Sequence, residues 1–285
     1  MTELSQHPEI LRTVAERLAA EAAVSVAQRR AQVFGGVSAA GAVTSKSTPT
    51  DPVTVVDTET EALLRRRLAE MRPGDPVLGE EGGGPRDAGT RTDAVTWVLD
   101  PIDGTVNFVY GIPAYAVSVA AQVGGVALAG AVADVSTGDI YSAGSGLGAQ
   151  VFNDGVRRPL HCSGITDLSM VLLGTGFGYS PGRRAAQAAL LAELLPVVRD
   201  VRRIGSAALD LCMVAAGRLD AHYEHGLNVW DWAAGALIAA EAGARVTLPP
   251  PDAGPASLVM AAAPGVANAL YEMLDRLGGL AALPE

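Results

Sequence analysis

The residues best able to do chemistry in this chain are acidic, and they fall beside turns and strand ends. Asp100-Pro-Ile-Asp103-Gly-Thr105 is the densest group. An apolar run, Trp97-Val-Leu, delivers Asp100 at a strand end, and Pro101 interrupts the ladder because it has no N–H to donate. The chain then turns, so Asp103 can return to the side of Asp100. Gly104 and Thr105 follow, with backbone N–H groups able to face an anion. Two carboxylates and two donors so close together suit a metal-held phosphate. The plainer alternative is a polar turn that Asp100 caps.

Three further carboxylates stand in similar settings: Asp57 in Asp51-Pro-Val-Thr-Val-Val-Asp, Glu80 in Leu78-Gly-Glu-Glu-Gly, and Asp231 in Trp230-Asp-Trp-Ala-Ala-Gly. Asp57 and Asp231 also read as helix N-caps, and spacing does not choose between Glu80 and Glu81. An oxygen-rich set without His or Cys suits Mg²⁺, Mn²⁺ or Ca²⁺ and not zinc. Carboxylates alone would repel a phosphorylated substrate. Divalent ions held between them invert the sign of the site; two such ions orient a water, stabilise an in-line transition state and neutralise the leaving alkoxide.

Positioning these groups requires layered α/β elements. Helical spacing of Leu11, Val14, Leu18 and Ala22 predicts a helix over 8–34, ended by Gly35-Gly36, with a loose connector up to residue 42. A strand over 53–56 and a helix over 58–70 opened by Asp57 follow, then strands at 77–78 and 97–99. Apolar runs at 115–123 and 126–133, split by Gly124-Gly125, predict a hairpin. Another strand is expected at 140–142. Beyond residue 160, strands (169–175, 201–204, 221–224, 245–248, 259–263) alternate with helices (183–198, 206–217, 231–242, 264–277). The expectation is an α/β (α+β) protein with mixed sheets and two subdomains. Residues 1–155 carry most metal ligands and residues 156–285 complete the site.

Composition narrows the class. The 285 residues are 49% hydrophobic with two cysteines, which excludes a disordered chain and a disulfide scaffold. A net charge of −10 argues against direct nucleic-acid binding. No apolar signal core opens the chain, and the cysteines read as reduced thiols, so a cytoplasmic location is expected. The uncharged stretch 104–133 is interrupted by Asn107, Pro113 and Gln122 and reads as sheet core, not membrane.

Five blocks in order, namely Asp51-Pro-Val-Thr-Val-Val-Asp, Leu78-Gly-Glu-Glu-Gly, Trp97-Val-Leu-Asp-Pro-Ile-Asp-Gly-Thr-Val-Asn-Phe, Gly205-Ser-Ala-Ala and Trp230-Asp-Trp-Ala-Ala-Gly, resemble the signatures of the inositol monophosphatase family, nearest to its actinobacterial SuhB-type branch. The resemblance implies a layered αβαβα fold, a homodimer, lithium inhibition and Mg²⁺-dependent hydrolysis of inositol monophosphate. It implies that Glu80, Asp100 and the Ile102 carbonyl hold one Mg²⁺ and that Asp100, Asp103 and Asp231 hold a second, with a third ion beside Glu80. Thr105, oriented by Asp57, would activate the attacking water. Gly104 and Thr105 N–H groups would receive the phosphate, while Asp103, Ala207 and Glu224 would face a small polyol. Arg202 would approach the phosphate, with Arg203 as the alternative. Sister specificities are a fructose-1,6-bisphosphatase, a histidinol-phosphate phosphatase or a nucleotide 3′-phosphatase. A non-catalytic partner in transcription or RNA processing is the third reading.

Departures from the family pattern carry their own expectations. Gly82-Gly83-Gly84 implies a looser loop after Glu81, and His225 and Trp232 would reshape the pocket wall. His222-Tyr-Glu-His225 places His222 and Glu224 on one strand face and His225 on the other, which does not make a zinc site. Gly174-Thr-Gly-Phe-Gly178 reads as a turn after a strand. Lys46, the only lysine, is either a solvated loop residue or an ammonium near the phosphate.

Overall fold

The computed structural model describes residues 6–35, 43–46, 51–84, 94–250 and 256–284. The connector expected before residue 42 lies outside them from residue 36. Helix α1 (Pro8–Phe34) starts on a proline, whose missing N–H is no loss in a first turn, and buries the stripe Leu11, Ala15, Leu18, Ala22 and Val26. Strands β1 (Val43–Ser45) and β2 (Pro52–Thr54) pair antiparallel. Helix α2 (Val55–Met71) begins earlier than its sequence predicts. Thr54 is the N-cap and Asp57 bonds back to it, so Asp57 is the third residue of the helix and not its opener.

A seven-stranded sheet follows in chain order: β3 (Val77–Gly79), β4 (Val95–Asp103), β5 (Ala116–Val123), β6 (Val126–Asp134), β7 (Ile140–Gly144), β8 (Ala149–Asn153) and β9 (Val156–Pro159). Only β3 and β4 are parallel. The short helix α3 (Thr105–Tyr110) separates β4 from β5. Sequence reading leaves α3, β8 and β9 out, because each is too short for a periodic signal. The expected subdomain boundary at 155/156 falls inside the β8–β9 hairpin, so the first sheet continues to Pro159.

The rest of the chain forms β10 (Leu172–Thr175), α4 (Pro181–Leu194), β11 (Asp200–Arg202), α5 (Ala207–Ala215), β12 (Ala221–His225), α6 (Val229–Glu241), β13 (Arg245–Thr247), β14 (Leu258–Ala262) and α7 (Pro264–Arg276). Its five strands are ordered β11-β10-β12-β14-β13, parallel up to β12 and antiparallel beyond.

Packing stacks these elements in five layers. Val95, Trp97 and Leu99 of β4 face α1 and α2, while Val98 faces α5 and α6. Leu211 of α5 and Ala239 of α6 also pack on Ala261 of β14, which places both helices between the sheets. Leu194 of α4 and Leu270 of α7 cover the outer face of the second sheet. The central strands are therefore buried on both faces. This explains the lack of charge over 115–122 and 129–133, since a charge at either parity there would be desolvated. Among the described residues no helix is long and apolar enough to cross a membrane.

Candidate active site

Turns at the ends of β3, β4, β12 and the N-termini of α5 and α6 converge on a cavity of about 680 Å³. Its acidic end is built by β4. The β4–β5 register slips between Asp100 and Asp103, where Pro101 offers no N–H. The slip turns the chain, and the Asp100 carboxylate accepts the Ile102 N–H at 3.0 Å. Asp103 accepts the Ser206 hydroxyl at 2.6 Å and the Ala208 N–H at 2.7 Å, which ties the turn to the start of α5. Asp231 accepts the Asn228 N–H at 2.6 Å from the first turn of α6. Like Asp57, it bonds back to the cap position and does not occupy it.

One oxygen from each of Asp100, Asp103 and Asp231 lies within 4.8 Å of the others. Burial raises all three pKa values, that of Asp103 to about 6, and their mutual repulsion and that of Glu80 add to it. Asp100 also meets the Glu80 carboxylate, and the other partners are backbone N–H groups and the Ser206 hydroxyl, so no cation bonds any of the three. Like charges, one buried and two half-buried, with hard oxygen donors and no cationic partner among these bonds fit a divalent metal ion.

Glu80 lines the same cavity, whereas Glu81 does not. The Lys46 ammonium lies 2.7 Å from Glu80 and 2.5 Å from Glu81, so Lys46 lines the cavity while remaining exposed to solvent. Gly82 and Gly83 are held in place and not loose. The Glu61 carboxylate accepts the N–H groups of Glu81 and Gly82 at 2.7 and 2.9 Å, and Arg65 bonds the Gly83 carbonyl.

Asp57 sits behind the cavity wall, fully buried, and burial pushes its pKa up to about 6. One of its oxygens takes the Thr54 N–H and hydroxyl at 2.8 and 2.5 Å. The other lies 3.3 Å from the Thr105 hydroxyl, which is also 3.0 Å from the Ile102 carbonyl. Gly104 precedes Thr105 at φ +92°.

Ala207 and Glu224 line the same cavity, and burial pushes Glu224 up to about 8. Arg202 does not line it. Its guanidinium lies 2.6 Å from Asp200, on β11, whereas Arg203 faces the cavity. Replacing Arg202 with Ala should leave KM within about twofold, while Arg203→Ala should raise it about tenfold; steady-state kinetics on both variants checks this. Trp232 packs among apolar side chains between the sheets and does not reach the cavity wall. His225 does line it, although its ring is held by the Gly279 carbonyl at 2.7 Å. No His or Cys joins the metal-like cluster among the described residues.

Sequence reasoning left two residues without individual roles. Ser206 orients Asp103, and Asn107 donates to the Ala114 and Ile204 carbonyls at 2.7 and 2.9 Å, joining α3 to the loop before α5. A lone Asn in an uncharged run was the available signal.

The raised carboxylates make stability depend on pH and metal together. A carboxylate whose folded pKa is raised binds more protons folded than unfolded, so its contribution to stability is lost as pH rises from about 4 through about 6 for Asp57 and Asp103. Metal-free protein should lose stability over that range. The rise in Tm on adding Mg²⁺ should therefore be larger at pH 7.5 than at pH 5, a comparison that thermal melting with EDTA or Mg²⁺ makes directly.

The profile described as the inositol monophosphatase family matches residues 8–278. The chain is 68% identical over 287 residues to the inositol-1-monophosphatase of Mycobacterium leprae, covering 99% of each chain. It is 66% identical over 291 residues to the inositol-1-monophosphatase SuhB of Mycobacterium tuberculosis, covering all of both. The solved structure of the latter superposes with a TM-score of 0.82 at 61% identity, over 96% of this chain and 99% of that one. A relative named Nus factor SuhB from Vibrio cholerae is 39% identical over 206 residues, 72% of this chain and 74% of that one.

Proposed function

Since the chain belongs to the inositol monophosphatase family and is a phosphatase, we propose that it hydrolyses inositol monophosphate to inositol and phosphate using two or three Mg²⁺ ions. The observation that carries this reading is the group of three aspartate oxygens within 4.8 Å, opening on the same cavity as Thr105 and Glu224. Full-length relatives named inositol-1-monophosphatase support the substrate.

Asp100, Asp103 and Asp231 would hold one ion, Glu80, Asp100 and the Ile102 carbonyl another, and a third would sit beside Glu80. When bound, divalent ions supply positive charge that draws in a phosphate, stabilises its transition state and activates water. The protein's own groups do the rest. N–H groups of Gly104 and Thr105 receive phosphate oxygens. The Thr105 hydroxyl, donating to the Asp57 carboxylate, keeps a lone pair to accept the proton of an attacking water. Asp57 acts through Thr105 and not on the substrate. Asp103, Ala207 and Glu224 face the polyol, and Arg203 takes the place first given to Arg202.

Release of phosphate from inositol 1-phosphate with Mg²⁺ tests this reading against a panel of fructose 1,6-bisphosphate, histidinol phosphate and a nucleoside 3′-phosphate. The highest kcat/KM on any of the last three would reassign the substrate. Thr105→Val should lower kcat about a hundredfold, and Thr105→Ser by much less, because serine keeps the hydroxyl. Lithium inhibition, a homodimer and a cytoplasmic location complete the proposal; they rest on family membership and, for location, on the free thiols Cys162 and Cys212.

The similarity to a Nus factor favours a second reading, a transcription partner. Pull-down with wild type and with Asp103→Asn tests it. Retained capture of transcription components by an inactive variant would support a dual role.

A further inference from the structure

Beside Glu224 lies a buried pair, His222 and Asp210, that the proposed hydrolysis does not use. Residues two apart on a strand share a face, so β12 presents His222 and Glu224 together, while α5 brings Asp210 to the far side of the imidazole. His222 Nδ1 is 3.9 Å from the Asp210 carboxylate and Nε2 is 3.7 Å from that of Glu224. The imidazole is 0% exposed, and neither ring nitrogen has a hydrogen-bond partner among the described residues. Buried polar atoms are nearly always bonded, so two orphaned nitrogens aimed at two carboxylates require an explanation.

The neighbouring strand keeps the space for them. A Cβ at Gly174 would lie 3.1 Å from His222 Nδ1 and 3.2 Å from an Asp210 oxygen, and one at Gly176 would overlap the Glu224 carboxylate. Gly174 and Gly176 of Gly174-Thr-Gly-Phe-Gly178 thus serve close packing against this array and not phosphate binding.

We propose that His222 is a positioning residue for substrate recognition, linking Asp210 to Glu224 and holding the Glu224 carboxylate toward the hydroxyls of a bound polyol. The proposal rests on the reading that Glu224 faces the substrate. A neutral imidazole offers one donor and one acceptor. Burial drives His222 down to about 3 and raises Asp210 and Glu224, so the array does not hold three charges. The consistent arrangement has Asp210 as a neutral acid donating to Nδ1 and Nε2–H donating to Glu224. Arg203, beyond β11, favours negative charge on Glu224. On the remaining side β10 presents Gly174, and β14 pairs Ala261 with His222, neither of them titratable. A shift of under about 1 Å closes both bonds, and such bonds often tighten only once substrate is bound.

The test compares inositol 1-phosphate with 4-nitrophenyl phosphate, which has no ring hydroxyls, in the Mg²⁺-loaded enzyme. His222→Phe should raise KM for inositol 1-phosphate about tenfold, with kcat within about twofold and with 4-nitrophenyl phosphate kinetics unchanged. His222→Gln, which keeps a donor and an acceptor, should recover most of the loss. Asp210→Asn, whose amide donates as the neutral acid does, should stay near wild type, whereas Asp210→Leu should behave like His222→Phe. An unchanged KM in His222→Phe, or an equal loss on both substrates, overturns the proposal. Should His222→Phe not fold, the Asp210 pair carries the same comparison. Glu224→Gln separates the two readings. If it leaves KM for inositol 1-phosphate unchanged, the polyol role of Glu224 fails. If it raises KM and His222→Phe does not, only the positioning role fails.

Discussion

Asp100→Asn should lower kcat by about a thousandfold or more, equivalent to roughly 4 kcal/mol, while making the metal-free protein more stable. Both effects have one cause. Asp100 is buried beside Asp103, Asp231 and Glu80, and desolvation and like charge together raise its pKa well above the usual range. The neutral amide removes a repulsion that folding would otherwise bear, and its oxygen still accepts the Ile102 N–H. The same change removes the one carboxylate assigned to both principal metal ions. Tm in EDTA should rise by about 2 °C or more, and the further rise on adding Mg²⁺ should shrink or vanish. A lower Tm in EDTA, or activity within tenfold of wild type, would contradict the electrostatic account.

Gly104→Ala should lower activity roughly a thousandfold and destabilise the fold by about 1–3 kcal/mol. Gly104 sits at φ +92°, and a Cβ there would lie 2.9 Å from the Ala114 carbonyl oxygen and 3.0 Å from that of Gly205. Neither oxygen can retreat easily. The Asn107 amide holds the first, and the second belongs to the turn that starts α5. The backbone must therefore move, and Thr105 moves with it. A shift of about 1 Å in a catalytic group costs around a hundredfold, and losing a phosphate donor adds about tenfold. Comparison with Gly83→Ala, where a Cβ meets nothing within 4 Å although φ is also positive, separates the local strain from the steric clash. Melting and kinetics on both variants are the measurements.

Much of the layered fold is legible in the chain because its longer elements bury continuous stripes. The α1 periodicity, the hairpin around Gly124-Gly125 and the helix after Trp230 all report their own burial. The short pieces carry no such period. Helix α3 has six residues between two glycines, and β9 is exposed along its whole length, so neither leaves an amphipathic mark. Helices α2 and α6 start a few residues before the positions that spacing predicts, since an Asp at the third helical position bonds back to its cap and reads like a cap itself.

The site divides along the same line. Asp100, Ile102, Asp103, Gly104 and Thr105 belong to one turn whose chemistry is local, so residue type and spacing alone determined what that turn is able to hold. Long-range geometry decided the rest. Glu80 rather than Glu81 faces the cavity where β3 pairs with β4 and Glu61 of α2 holds the N–H groups of Glu81 and Gly82. Arg203 rather than Arg202 faces it because adjacent residues point in opposite directions and Asp200 holds the first. Thr105 meets Asp57 across 48 positions of chain. The imidazole of His222 lies between two carboxylates only because a helix and a strand from different layers pack against each other. Side-chain chemistry is a property of sequence; which desolvated groups become neighbours is a property of packing.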